Sequence, residues 1–129
     1  MAQMVKKTTY NAPSKDILLN PDNAFRLGAI VSNTGVATNS DGRKVIPAGT
    51  PIGDATHKIL MDRQAVYSVQ NTAANGANAQ GILFEDADVT DGNANVSIII
   101  RGEVDLTKCP TIVNEAQAAL THIIFVKGA

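Results

Sequence analysis

Six oxygen-bearing side chains crowd one short stretch of the chain: Glu85, Asp86, Asp88, Asp91, Asn93 and Asn95. The chemistry they could do together is to hold a calcium ion. An EF-hand loop takes ligands at alternate positions, glycine at the sixth and glutamate at the twelfth. Counted from Asp86, the sixth position is Asp91 and the twelfth is Ser97, so the frame fails twice. Turn-forming Asp and Asn bonding to their own backbone account for the composition more simply. No metal site is expected.

His57 and His122 are the only imidazoles, and Cys109 is the only thiol. A nucleophile and its base need only meet in space, yet a working site needs several roles filled at once. The chain has no Gly-x-Ser-x-Gly elbow, no His-x-x-x-His pair and no Cys-x-x-Cys pair. His122 falls in an apolar run and is expected to be packed, whereas His57 falls in a polar turn over residues 54–58. Cys109, next to Pro110, reads as a small buried hydrophobe, and a lone cysteine excludes an intrachain disulfide. Gly42-Arg43-Lys44 lacks the leading glycine and the Lys-Ser/Thr ending of a phosphate loop. Pro51 removes a backbone donor from the glycine-flanked stretch 49–53. Arg101, Glu103 and Asp105 share one parity and read as a solvated or ion-paired face rather than an acid–base couple. No catalytic residue, cofactor-binding residue or metal ligand is expected, no cofactor is implied, and the chain is not read as an enzyme.

The elements that position these groups are mostly strands. From Val96 onward one parity runs Val96, Ile98, Ile100, Gly102, Val104, Leu106, and the other runs Ser97, Ile99, Arg101, Glu103, Asp105, Thr107. That period-2 split predicts a half-buried strand, with Gly102 marking a bend, a bulge or a close backbone approach. Residues 81–84 form a short apolar run, and residues 86–95 a polar turn containing Asp91-Gly92. Further short strands are expected at 29–32, 45–46, 59–61 and 66–69, with small-residue loops between them. One helix is convincing: Thr111 offers a cap, Glu115 sits early, and Ile112, Val113, Ala116, Ala119 and Leu120 share a face. Residues 122–126 close the chain as a strand. The sum is a mainly β domain, with minor α, carrying one short helix near its C-terminus. Residues 1–24 are polar, contain Pro13 and Pro21, and offer only Ile17, Leu18 and Leu19 as an apolar cluster. They read as an extended arm that orders against something else, leaving residues 25–129 as the β-rich domain.

Composition narrows the function classes. A chain of 129 residues is one domain, and its 44% hydrophobic content includes no Trp, three Phe and two Tyr. The core is therefore aliphatic, which favours a compact scaffold over an aromatic-lined pocket. Eleven basic and twelve acidic side chains give a net charge of −1. Beyond Lys6-Lys7 and Arg43-Lys44 no basic patch is visible, and stacking aromatics are scarce, so nucleic acid is not an expected partner. The apolar runs are too short to span a bilayer and no signal-peptide pattern opens the chain, so neither a membrane nor secretion is expected.

The order Gly81-Ile82-Leu83, acidic loop, Thr90-Asp91-Gly92, apolar strand, Arg101-Gly102-Glu103-Val104 resembles the head decoration (capsid cement) proteins of tailed bacteriophages, the lambda type. It is also similar to the base domains of phage head fibre proteins. The run from Val45 to Gly53, VIPAGTPIG, looks like the Pro/Gly-rich turn of the same families, and the likeness covers residues 28–128. The resemblance implies a compact β-barrel or β-tulip-like domain that forms homotrimers at three-fold positions of the capsid. It implies the major capsid protein as partner and the outer surface of the virion as location, after synthesis in the bacterial host cytoplasm. In that family an N-terminal arm grips the shell, often by adding a strand. Here that role would fall on Lys6, Lys7, Thr8, Thr9 and Tyr10, whose β-branched pair suits strand addition, with Ile17, Leu18 and Leu19 anchoring nearby. Two other readings stay open. One is the base of a head fibre, against which the lack of a stalk before Ala129 counts. The other is a small ligand- or metal-binding β-barrel using the 86–95 loop and His57.

Overall fold

In the computed structural model the described residues are 17–127. Their elements follow in the order β1 (Phe25–Val31), β2 (Val45–Ile46), β3 (Pro51–Gly53), β4 (Val66–Val69), β5 (Ala79–Leu83), β6 (Ala87–Asp88), β7 (Ala94–Asp105), α1 (Asn114–Ala119) and β8 (Ile123–Val126). Lys6, Lys7, Thr8, Thr9 and Tyr10 lie outside the described residues. The molecule is mainly β, with a closed five-stranded barrel and one short helix near the C-terminus. Strands run around the barrel as β1-β4-β3-β5-β7, and β7 pairs back onto β1. Only the β1–β4 seam of the barrel is parallel. Closure leaves no free edge among these five strands, which removes the usual site of unwanted strand addition.

Two apolar clusters divide the interior. Ala29, Val31, Ile52, Tyr67, Leu83, Ile98 and Ile100 point into the barrel, and the β2–β6 ribbon covers them with Ile46, Ala87 and the adjoining Val89. Ile82 and Ile99 face the other way from the same wall. They pack with Ile112, Ala116 and Leu120 around α1, and with Ile123 of β8. The middle of β7 is thus buried on both faces, which is why Ile98, Ile99 and Ile100 are apolar in succession.

The parity expected from the sequence holds up to Ile100 and then reverses. Against β1, Arg26 pairs with Ile99 while Phe25 pairs with Arg101, so Ile100 is an extra residue on β7. A one-residue bulge exchanges the faces of everything after it. Val104 accordingly joins Ile99 in the outer cluster rather than Ile98 in the barrel. Gly102 follows the bulge with φ +154, a value that L side chains rarely adopt, and packs its α-carbon side against Ala24 and Leu18.

Past Gly102, β7 leaves the barrel and becomes the centre of a small three-stranded extension. On one side β8 runs parallel, Gly102 opposite Ile123 through Asp105 opposite Val126. On the other side the chain at 17–19 runs antiparallel: Leu18 bridges Val104, the Leu19 amide donates to Glu103 at 3.0 Å, and the Asp105 amide donates to Ile17 at 2.8 Å. Ile17 is fully buried and Leu18 is 5% exposed, both in the outer cluster. The arm boundary expected at residue 24 is therefore corrected. Residues 17–24 belong to the folded body, because a backbone ladder and two buried aliphatic side chains hold them there.

Two further expectations are corrected. Residues 59–61 form a turn, not a strand: Ile59 is buried, but Leu60 and Met61 are 61% and 84% exposed. At α1 the cap position is Val113 rather than Thr111, and no side chain of its own caps the first turn. Asn71 substitutes from a distant loop, its amide donating to the Thr111 carbonyl at 2.8 Å and its oxygen accepting from the Val113 amide at 3.0 Å.

If residues 17–19 are core, Ile17→Ala should destabilise the domain by about 2–5 kcal/mol in denaturant unfolding, whereas Leu19→Ala should cost a small fraction of that. Equal, near-zero effects at both positions would mean that this segment does not belong to the body.

Candidate interaction surface

The acidic loop serves the fold. The Asp86 carboxylate accepts from the Ala48 amide at 2.7 Å, and Asp88 accepts from the Thr90 amide and hydroxyl at 3.0 and 2.6 Å. Arg43 completes the arrangement, its Nε 2.7 Å and its Nη2 2.6 Å from Asp88 Oδ2. The Thr90 hydroxyl and amide bonds and the Arg43 guanidinium hold the Asp88 carboxyl at about 2, below its usual 3.8. These bonds tie the β2–β6 ribbon over the barrel mouth. Among the described residues, no three His, Cys, Asp or Glu side chains gather closely enough to hold a metal ion.

His57, His122 and Cys109 stand in three different places. His57 bonds to Asp54, ring Nδ1 to Oδ2 at 3.1 Å. That carboxylate also accepts from the His57 and Thr56 amides, which hold it at about 2. His122 is exposed just before β8, not packed as its apolar neighbours suggest, because β8 begins one residue later. Cys109 is half-buried against the outer cluster. Its Sγ and Cβ crowd Gly49, which has φ +93 and no room for a Cβ. A cleft of about 400 Å³ is lined by Gly28, Ala29, Ile30, Arg63, Gln64, Asn95 and Val96. It is an open surface groove, unlike the enclosed pockets that bury a small ligand.

What the surface does carry is apolar. Leu19, Phe25 and Ile124 are 43%, 42% and 59% exposed; Leu19 and Ile124 lie on the β7 extension, and Phe25 begins β1. Leu19 stands opposite Glu103, Glu103 opposite Ile124, and Phe25 opposite Arg101. Directly opposed residues point to the same side of a sheet, so Leu19, Glu103 and Ile124 share one face across three strands, and Phe25 and Arg101 share a face of β1 and β7. Arg101 lies over the Phe25 ring, 5.9 Å from its centroid. Glu103 Oε2 accepts from Asn23 at 3.2 Å, while Oε1 is buried and has no hydrogen-bond partner. A second apolar tip, Leu60 and Met61 with Val66 nearby in sequence, lies beyond β3 in the chain.

Among the described residues named for capsid contact, Ile17 and Leu18 are packed inside and Leu19 reaches the surface. Phe25, Arg101, Glu103 and Ile124 were missed as a group, because the bulge that sets their facing leaves no mark on the parity of the sequence. No protein-family model matches the chain, and no curated protein matches it at a significant level.

The ribbon ties predict an acid-sensitive step. A carboxylate whose pKa is lowered on folding contributes stability above its unfolded value of 3.8, and that stability is lost as the pH falls toward about 2. Asp88→Asn should therefore melt below the parent protein at neutral pH, and the gap should close across that acidic window in circular-dichroism melts. A gap that stays constant down to the lower pH would remove Asp88 as its source.

Proposed function

We propose that this chain is a structural virion protein that binds the outer surface of a tailed-phage capsid and stabilises the mature head. Its partners in this reading are the major capsid protein and two further copies of itself at a three-fold position. The observation that carries the reading is where the family-like segment falls. Residues 80–106 hold nearly all of β5 and the whole of β6 and β7; β5 and β7 form the wall that separates the two cores, and β7 runs on into the extension. A rigid aliphatic barrel with apolar side chains presented on a flat strand surface suits a role in binding another protein.

Stabilisation would follow from linkage. A protein that binds the assembled shell but not its separated subunits favours the shell by about 2.7 kcal/mol per site at a hundredfold excess over Kd. Three arms presented together would add avidity. Gripping belongs in this reading to residues 1–16, including Lys6, Lys7, Thr8, Thr9 and Tyr10, together with Leu19. Ile17 and Leu18 tether that segment to the body instead of touching the shell.

Co-sedimentation with expanded, decoration-free heads of the phage that encodes the chain tests the proposal. Saturable binding at three copies per three-fold position is expected, and deletion of residues 1–10 should leave a folded domain that no longer sediments with heads. Absence of binding by the folded full-length chain would overturn the capsid reading, and undiminished binding by the shortened chain would overturn the role given to the arm.

A further inference from the structure

The connection from β3 to β4 carries two exposed apolar side chains, Leu60 and Met61, on a turn that the fold holds in place. The Met61 and Asp62 amides donate to the Lys58 carbonyl at 2.9 and 2.8 Å, and the Ile59 amide donates to Gln80 Oε1 at 2.7 Å. The Tyr67 hydroxyl donates to the Asp62 carbonyl, and the buried Ile59 side chain packs into the barrel cluster. Apolar groups on a turn already fixed in this way can dock with little further loss of conformational freedom.

Beside the turn lies the open cleft of about 400 Å³. Gly28 and Ile30 line it from β1, Asn95 stands opposite Ile30 on β7, and Arg63 and Gln64 border it from the turn. Gly28 is exposed in mid-strand, and a Cβ there meets nothing closer than the Val96 carbonyl at 3.9 Å, so the fold does not require the glycine. Among the described residues, the side chains of Arg63, Gln64 and Asn95 form no hydrogen bond or ion pair. The acids of the turn are already engaged, Asp54 by His57 and Asp62 by the Gln64 and Ala65 amides. Lys58 and Arg63 are therefore exposed cations without a local counter-ion.

We propose that this turn and cleft dock on an acidic, apolar-lined patch of the capsid protein. Leu60 and Met61 enter its apolar socket, and one of its carboxylates reaches Arg63 in the cleft. The assignment rests on the capsid reading and names the surface of the folded body that takes part in it. Chain direction supports it. β1 and β4 begin and β3 ends at one end of the barrel, so the turn hangs from the end at which residues 17–24 enter. The other end is covered by the β2–β6 ribbon with its Arg43–Asp88 pair. An arm that holds the shell brings the turn end against it, and the unpaired cations select an acidic partner.

The experiment is co-sedimentation of the full chain and its variants with expanded, decoration-free heads, with circular-dichroism melts to confirm folding and sedimentation velocity to compare assembly states. The double variant L60S/M61S and Arg63→Glu should each weaken head binding about tenfold or more, while folding and assembly state stay as in the parent. Gly28→Val places a side chain in the cleft at a strand position that accepts a Cβ, and should weaken binding likewise. Parent binding should fall as salt is raised. If the parent binds and the folded variants bind as tightly, this assignment is overturned and the capsid reading stands. If the parent does not bind, both fall. Tighter binding by Arg63→Glu would overturn the acidic partner, and variants that lose the parent's assembly state would assign the surface to contacts between copies instead.

Discussion

Everything in this molecule hangs on the twelve residues of β7. One edge of the strand closes the barrel against β1, and the other carries β5 and then β8. Its two faces feed two cores, and with β5 it forms the wall between them. A strand used this way must be apolar on both sides at its centre and must change allegiance along its length. The run Ile98-Ile99-Ile100 meets the first demand, and the extra residue at Ile100 with the unusual backbone of Gly102 meets the second. Barrel and extension are thus one continuous piece of sheet, and any force on the extension passes straight into the barrel wall.

That arrangement explains why so few aromatic rings suffice. The barrel is narrow, and β-branched aliphatic side chains fill it in layers without needing large rings. Tyr67 is the exception, fully buried with its hydroxyl donating to the Asp62 carbonyl. Its ring lies in the barrel while its hydroxyl ties down the 58–65 turn, and burial pushes the phenol up from its ordinary pKa. The polar residues of the long loops do comparable work. Asp86, Asp88, Thr90 and Arg43 fasten the ribbon, Gln80 accepts from the Ile59 amide and donates to the Asp54 and His57 carbonyls, and Asn71 stands in for a helix cap. Of the side chains that invite a metal or acid–base reading in the sequence, Asp86, Asp88 and His57 are engaged in holding loops.

Much of this could be read from the residues alone, and the failures share a cause. The β-rich character, the single helix on Ile112, Ala116 and Leu120, the turn at Asp91-Gly92 and the special role of Gly102 follow from periodicity and turn chemistry, which are local. What was missed depends on partners far along the chain. Ile17 and Leu18 sit among polar residues with no periodic pattern, and only the ladder to Val104 and Asp105 makes them core. Ile59 resembles the start of a strand but anchors a turn, because its side chain alone finds the barrel. His122 looked packed by the company it keeps, yet the strand that packs begins after it. Arg101 and Glu103 were legible as a solvated face, but that Phe25 and Ile124 lie beside them was not, since a bulge shifts facing without altering composition.

The central structural claim is that residues 17–19 and β8 flank the distal half of β7 as one sheet with the barrel. Native-state hydrogen exchange measured residue by residue tests it most directly. The Leu19 and Asp105 amides, bonded to Glu103 and Ile17, should be protected to a degree comparable with the Leu83 amide, which bonds to Thr50 beside the barrel wall. Exchange at Leu19 and Asp105 at the rate of an unstructured chain, with Leu83 still protected, would contradict it and return residues 17–19 to the arm.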